Sequence, residues 1–141
     1  MALALARRAA RRGEVPVGAV LVDESGRALA AEHNRTIMNC DPTAHAEMLC
    51  LRRAAGAMGN YRLLGATLYV SLEPCPMCAG ALIWARVQRV VFGASDPKAG
   101  ALGSVMDLSL RPELNHRPVV QGGLMAAESA AILKDFFAKR R

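Results

Sequence analysis

Three residues able to bind a transition metal stand in two short clusters of this sequence, His45 in one and Cys75 with Cys78 in the other. Two thiolates and a neutral imidazole are a donor set that zinc takes, and a site with three protein ligands keeps a fourth position for water, which marks a catalytic centre. The run Cys75-Pro76-Met77-Cys78 reads as a helix start, where backbone amides and the helix dipole favour the thiolate form. Glu47 follows His45 by two residues, an offset of about 200° around a helix, so the two side chains converge only beyond the helix end. There His45 would hold the metal while Glu47, unligated, carries a proton between water and substrate. Zinc lowers the pKa of bound water to about 7, which supplies a nucleophile at neutral pH.

Other donors keep two alternatives open. Cys40, Cys50, His33 or His116 could complete a structural site, and Cys75 and Cys78 could form a redox pair. Cys50, five residues past His45, lies about 140° round the helix and should point away from a metal on His45. A redox pair leaves His45-Ala46-Glu47 without a role.

The elements that must position these residues follow from pattern. Met1 to Arg12 reads as a helix with Arg7, Arg8, Arg11 and Arg12 as a solvated face, and it runs into the strand Val15 to Val22 without a cleavage spacer. Asp23-Glu24-Ser25-Gly26 turns that strand into a second, Arg27 to His33, making a hairpin. Asn34 to Pro42 is loop, and Thr43 is the expected N-cap of a helix reaching about Ala57. Ala66 to Leu72 is a buried strand. A helix from Pro76 to Arg86, apolar nearly all round, should be buried. Val87 to Gly93 is the next strand, and Ala94 to Ser104 has the small, polar composition of a loop that touches substrate. A short helical stretch, a strand near Val119 and a helix from Leu124 to Lys139, with Leu124, Ala127, Ala131 and Phe136 inward, complete the order. A hairpin followed by alternating strands and helices implies an α/β fold, a mixed sheet with helices on both faces.

The 141 residues, 52% hydrophobic, suit one domain spanning 1–141. Four cysteines without a disulfide framework point to a reducing cytoplasm, and no apolar run approaches the length of a membrane span. The formal charge of +6 favours a polyanionic partner such as nucleic acid.

His45-Ala46-Glu47 followed by Pro74-Cys75-Pro76-Met77-Cys78 resembles the signature of the zinc-dependent cytidine and deoxycytidylate deaminases. The chain is further similar, over nearly its whole length, to the bacterial tRNA-specific adenosine deaminase family. Glu14 to Val20, Asn34, Asp41 to Glu47, Gly59 to Leu63, Leu72 to Cys75, Met77 to Ala81, Arg89 to Ala94, Asp96, Gly100-Ala101, Gly103-Ser104, Asn115 to Arg117 and Phe136-Phe137 carry that likeness. It implies a three-layer α-β-α cytidine-deaminase-like fold with a five-stranded mixed sheet. It also implies one Zn2+ per subunit on His45, Cys75 and Cys78, and hydrolysis of the wobble adenosine of a tRNA anticodon loop to inosine with Glu47 as catalytic proton carrier.

By the same resemblance Asn34 and Ala46 contact the target nucleoside and Asp96 meets a neighbouring nucleotide through a 2′-OH. Phe136, Phe137 and Arg140, with Lys139 and Arg141, would stack a base and hold phosphate at the tail as single-strand readers do, and a core Phe with a frayed basic end explains the same residues nearly as well. If the last helix continues, only one of the two rings can face the core, which leaves the other for RNA. On local grounds Asn34 reads equally as a loop cap and Asp96 as an Asp-Pro turn residue. The family implies a homodimer, with Ala79-Gly80-Ala81 permitting close helix approach and Trp84 in the core or at the subunit interface. RNA, not DNA or a membrane, is the expected partner. A free-base guanine or cytosine deaminase, or a non-catalytic RNA-binding subunit, are the rival readings. The chain starts and stops close to the fold's ends, so RNA affinity is where it is expected to depart from the family.

Overall fold

The structure is a computed structural model that describes residues 1–140; Arg141, expected in the basic tail, lies outside the described residues. Along the chain run α1 (Ala2–Arg11), β1 (Gly18–Val22), β2 (Ala28–His33), α2 (Ala46–Met58), β3 (Thr67–Leu72), α3 (Pro76–Trp84), β4 (Arg89–Ala94), a 3-10 turn (Leu108–Leu110), β5 (Val119–Gln121) and α4 (Ala126–Ala138). The five strands form one sheet in the order β2-β1-β3-β4-β5. β1 pairs antiparallel with β2 and β3, whereas β3-β4 and β4-β5 are parallel. This is the five-stranded mixed sheet anticipated.

Two rows of side chains leave the sheet in opposite directions, as the period of two requires. Ala19 and Leu21 of β1 stand opposite Val70 and Leu68 of β3, which stand in turn opposite Phe92 and Val90 of β4. All six are in the hydrophobic core, together with Ala46, Cys50, Leu51 and Ala54 of α2 and Ala79 and Leu82 of α3. The opposite row begins at Gly18, where a Cβ would lie 2.1 Å from the carbonyl oxygen of Ala2. The missing side chain lets the α1 backbone press directly on β1. At the other end, a Cβ on Gly93 would stand 3.2 Å from that of Ser129, so α4 covers β4 by the same device. Helices therefore cover both faces, α1 and α4 on one and α2 and α3 on the other.

Three expectations need correction. First, α2 begins at Ala46 rather than after Thr43, because Asp41 Oδ1 accepts from both the amide and the hydroxyl of Thr43 and holds them in a turn. His45, in extended conformation, is the true N-cap residue. Second, Leu124, Ala127 and Ala131 are exposed; the inward positions of α4 are Ser129 and Phe136. A hydrogen bond from the Ser129 hydroxyl to the Ser71 carbonyl sets that rotation. Third, α3 ends at Trp84 and is covered on one side only: Cys78, Ala79, Leu82 and Ile83 are buried, but Trp84 is 70% exposed and so is not core. No helix among the described residues is long and apolar enough to cross a membrane.

Gly18→Ala is expected to cost about 2–3 kcal/mol, because its Cβ would meet main-chain atoms that cannot yield without moving α1. Thermal unfolding measures this, and an unchanged melting temperature would mean that α1 does not lie on β1 in this way.

Candidate active site

His45 and Cys75 occupy equivalent places, each the N-cap residue of a helix on the same face of the sheet and each in extended backbone. The extended conformation turns both side chains past the helix ends, as the offset between His45 and Glu47 demanded. His45 Nδ1 lies 3.7 Å from Cys75 Sγ and 3.5 Å from Cys78 Sγ, and the three ligand atoms are all within 4.8 Å of one another. Tetrahedral bonds of about 2.3 Å to sulfur and about 2.0 Å to nitrogen need N···S separations of roughly 3.5 Å, so this cluster fits zinc as it stands. Cys78 donates to the Cys75 sulfur, which with His45 lowers Cys75 to about 4, while the same bond and burial push Cys78 up.

The other donors are engaged elsewhere. Cys50 is in the core with its sulfur 3.3 Å from the Ala19 carbonyl, and burial raises it to about 12. His116 Nε2 bonds the Val87 carbonyl, His33 Nδ1 the Asn34 carbonyl, and Cys40 is exposed. Among the described residues, the only cluster of three ligand atoms is His45, Cys75 and Cys78.

Glu47 enters the same cavity from the first turn of α2. Its carboxyl is 3% exposed and its Oε1 has no hydrogen-bond partner. Burial pushes its pKa upward, with attraction to His45 opposing. A buried carboxyl that can take and return a proton, beside a metal-ligand triad, is the equipment of hydrolytic chemistry. The cavity measures about 240 Å³ and is walled by Val15, Val17 and Leu72 with Asn34, Thr36, Glu73, Asp96 and Ala99. That volume takes one flat ring system, so a polymer could only insert a single flipped unit.

Asn34 combines both of its readings: Oδ1 accepts from the Ala46 amide at 2.8 Å, capping α2 from a distance, and that bond orients the amide NH2 as the group left for the cavity. Ala46 is a correction. Its side chain is fully buried in the core and its amide is taken by Asn34, so it does not line the cavity. Asp96 lines the cavity while Oδ1 accepts from the amides of Lys98 and Ala99, a turn that leaves Oδ2 as its free oxygen. Phe136 is the second correction: at 6% exposure it is core, because only one of two adjacent rings on a helix can face inward. Phe137 is 46% exposed and meets Phe136 edge to face at 5.2 Å. Arg140 folds back, its guanidinium 3.6 Å from the Phe136 ring centroid and bonded to the Phe136 carbonyl.

Two carboxylates that sequence reasoning passed over hold the cavity's loops. Glu14, 1% exposed, accepts from the amides of Ile37 and Met38 and the hydroxyl of Thr36. Glu73, 2% exposed, accepts from the amides of Asp96, Leu102 and Ser104 and the Ser104 hydroxyl. A Cβ at Gly100 would lie 2.3 Å from the Glu73 carboxylate, so only glycine lets this loop close over it. The signal available in the sequence was a glutamate between Leu72 and Pro74 with no basic residue near, followed by a loop rich in small residues.

A family model for the cytidine and deoxycytidylate deaminase zinc-binding region matches residues 1–94, which include every metal ligand and Glu47. The chain belongs to this deaminase family. It is 50% identical over 140 residues to a tRNA-specific adenosine deaminase of Haemophilus influenzae, spanning 99% of this chain and 81% of that protein. The deaminase also resembles a solved structure from work on A-to-I editing by tRNA:A34 deaminases at the wobble position of transfer RNA. Their TM-score is 0.90 at 51% identity, over 94% of this chain and 95% of that one. A guanine deaminase from Nitrosomonas europaea is similar at lower identity, 31%, with a TM-score of 0.81 over 97% of this chain and 81% of that one.

Glu73 keeps a depressed pKa although burial alone would raise it, because the Ser104 hydroxyl and the amides of Asp96, Leu102 and Ser104 favour the anion. A carboxyl with a lowered folded pKa stabilises the fold fully above its unfolded value near 4.5, and that contribution is lost as pH falls through the folded value. Glu73→Gln should therefore cost on the order of 2 kcal/mol at neutral pH, since an amide nitrogen would face donors. Urea unfolding should show the gap to the native protein closing below pH 4.5; a gap independent of pH would overturn this reading of the Glu73 anion.

Proposed function

We infer that the deaminase hydrolyses the wobble adenosine of a tRNA anticodon to inosine and releases ammonia. The observation that carries the reaction type is the convergence of His45, Cys75, Cys78 and the unpartnered Glu47 carboxyl on one small cavity. The substrate follows from 50% identity to a tRNA-specific adenosine deaminase over almost the whole chain, against 31% to the guanine deaminase.

His45, Cys75 and Cys78 hold the metal, one zinc per chain. When bound, zinc supplies a Lewis acid that brings the pKa of water to about 7. Hydrolysis would add a water oxygen to C6 of adenine and expel the exocyclic amine. Glu47 takes the first proton of the water and passes it to N1, then takes the proton of the new hydroxyl and hands it to the amine, leaving the C6 carbonyl of inosine and ammonia. Val15, Val17 and Leu72 exclude bulk water from the ring, and the Asn34 amide NH2 donates to an acceptor of the purine or its ribose. The free oxygen of Asp96 accepts from a 2′-OH of the neighbouring nucleotide, a contact DNA lacks. Phe137, the exposed ring, stacks a base of the loop, and Arg140 binds phosphate once it leaves its own helix.

The same reading takes the chain as one domain, because a single sheet and a single core run through it. It also takes the enzyme as a cytoplasmic homodimer, supported by the uncovered side of α3, where Gly80 and Ala81 are half-buried and Trp84 is exposed.

Zinc-loaded protein should convert a tRNA with wobble adenosine to its inosine form, read by sequencing. Glu47→Gln should cut the rate about a thousandfold while zinc content stays at one per chain, because Glu47 moves protons and does not bind the metal. Chelation should abolish activity in the native protein. Ammonia released from guanine, with tRNA left unchanged, would transfer the chain to the free-base deaminases.

A further inference from the structure

Four arginines project from α1 and its C-terminal residue. Arg8 and Arg12 stand four residues apart and form one row, Arg7 and Arg11 the next. All four are exposed, and among the described residues none enters an ion pair. The sequence alone favoured a solvated face, but the two rows lead to different places. Arg7 lines a groove on the α1-α4 side of the sheet, with Tyr69, Leu124 and Met125. Arg8 and Arg12 instead stand in the last turn and at the C-cap of α1, the helix that packs against β1 and β2, and β2 ends at His33. His33 Nδ1 is bonded at 2.8 Å to the carbonyl of Asn34, which forms a wall of the catalytic cavity.

From Arg12 the chain passes Gly13, where a Cβ would be 3.9 Å from the Arg140 guanidinium, and reaches Val15 in the cavity wall. On the far side of Arg140, Lys98, Lys134 and Phe137 share a concavity with it, and Ala99 beside Lys98 lines the catalytic cavity. Cations thus border the cavity from α1 round to the 96–99 loop. Beside α1, Glu14 is committed to the amides of Ile37 and Met38 and Glu32 to Arg35 and Arg53, so neither neutralises Arg8 or Arg12; Asp96 is the acidic group at the far end of the arc.

We propose that Arg8 and Arg12 bind backbone phosphates of the RNA strand where it leaves the cavity, so that the enzyme grips the anticodon stem as well as the flipped nucleotide. The proposal rests on the tRNA reading above. Guanidinium forks suit phosphate oxygens, and a row not neutralised by protein carboxylates gains most from a polyanion. An acidic protein partner would meet the same charge, but the row's position beside the cavity favours the substrate itself.

The test compares Arg8→Gln/Arg12→Gln with Arg7→Gln/Arg11→Gln, which remove equal charge from adjacent rows. Deamination of a whole tRNA with wobble adenosine is followed across a salt series. For the first pair, KM should rise about tenfold at low salt and the slope of log KM against log salt should fall by about 1.5 to 2, with kcat unchanged. Each single substitution of that pair should take about half of the slope change. The second pair should alter KM less than about twofold. Equal effects from the two pairs would reduce the row to a general field and overturn the proposal, as would no effect from either. Native protein that edits no tRNA would sink the functional reading instead, so the two failures are distinguishable.

Discussion

A metal with three protein ligands needs donor atoms a fixed few ångströms apart, and this chain supplies them from two helix N-termini that must be brought together. N-cap positions usually carry Ser, Thr, Asp or Asn, whose oxygens satisfy the first amides of the helix. Here His45 and Cys75 hold those positions, and neither makes a side-chain capping bond. Part of the cost at α2 is offset by Asn34, whose Oδ1 reaches the Ala46 amide across twelve residues. At α3, Pro76 removes an amide that would have lacked a partner, and the helix dipole favours the thiolate beside it. Local stability has been exchanged for ligand position. The sheet order fixes the meeting point, since α2 precedes β3 and α3 leaves it, with the central β1-β3-β4 register holding both helices over one face.

Three buried glutamates around the cavity show how partners decide what a carboxyl does. Glu14 and Glu73 are saturated by amides and hydroxyls and act as anchors for the loops bearing Thr36 and Asp96. Amide donors that lost such an acceptor would each be left unsatisfied at a cost of about 1–3 kcal/mol, which is why the loops stay closed on these groups. Glu47 is as deeply buried but keeps Oε1 unpartnered, so its two protonation states lie closer in energy. Two carboxylates therefore set the geometry, and the third is left free to exchange protons.

The parts of this arrangement that were legible in the sequence are those set by local spacing. His45, Glu47, Cys75 and Cys78 could be read because a two-residue offset and a Cys-x-x-Cys run at helix starts have consequences independent of the rest of the chain. The strand sequence was readable for the same reason, through period and turn residues. Glu14 and Glu73 were not, since their donors lie 22 to 31 residues away and only the fold brings them together. The inward face of α4 was misplaced because alanines at Ala127 and Ala131 carry little weight against one Ser129 hydroxyl bonded across the sheet. The amide of Ala46 was equally illegible, because the Asn34 side chain that occupies it lies twelve residues away.

The size of the cavity constrains how such an enzyme can choose its substrate. About 240 Å³ admits one base, and a cavity of that size touches too little of a tRNA to tell one adenosine of the chain from another. The cavity must therefore borrow selectivity from contacts outside it. The charge distribution meets that need: Lys98, Lys134 and Arg140 share a concavity beside the 96–99 loop, with the exposed Phe137 among them as a stacking surface. Phosphate contacts carry no base sequence, but they fix the register of a folded RNA, and register decides which nucleotide reaches the opening. A free base gains nothing from this surface, because it has no backbone to grip. The tight cavity and the basic border thus form one device, in which the border selects a position along the RNA and the cavity performs chemistry on whatever that position presents.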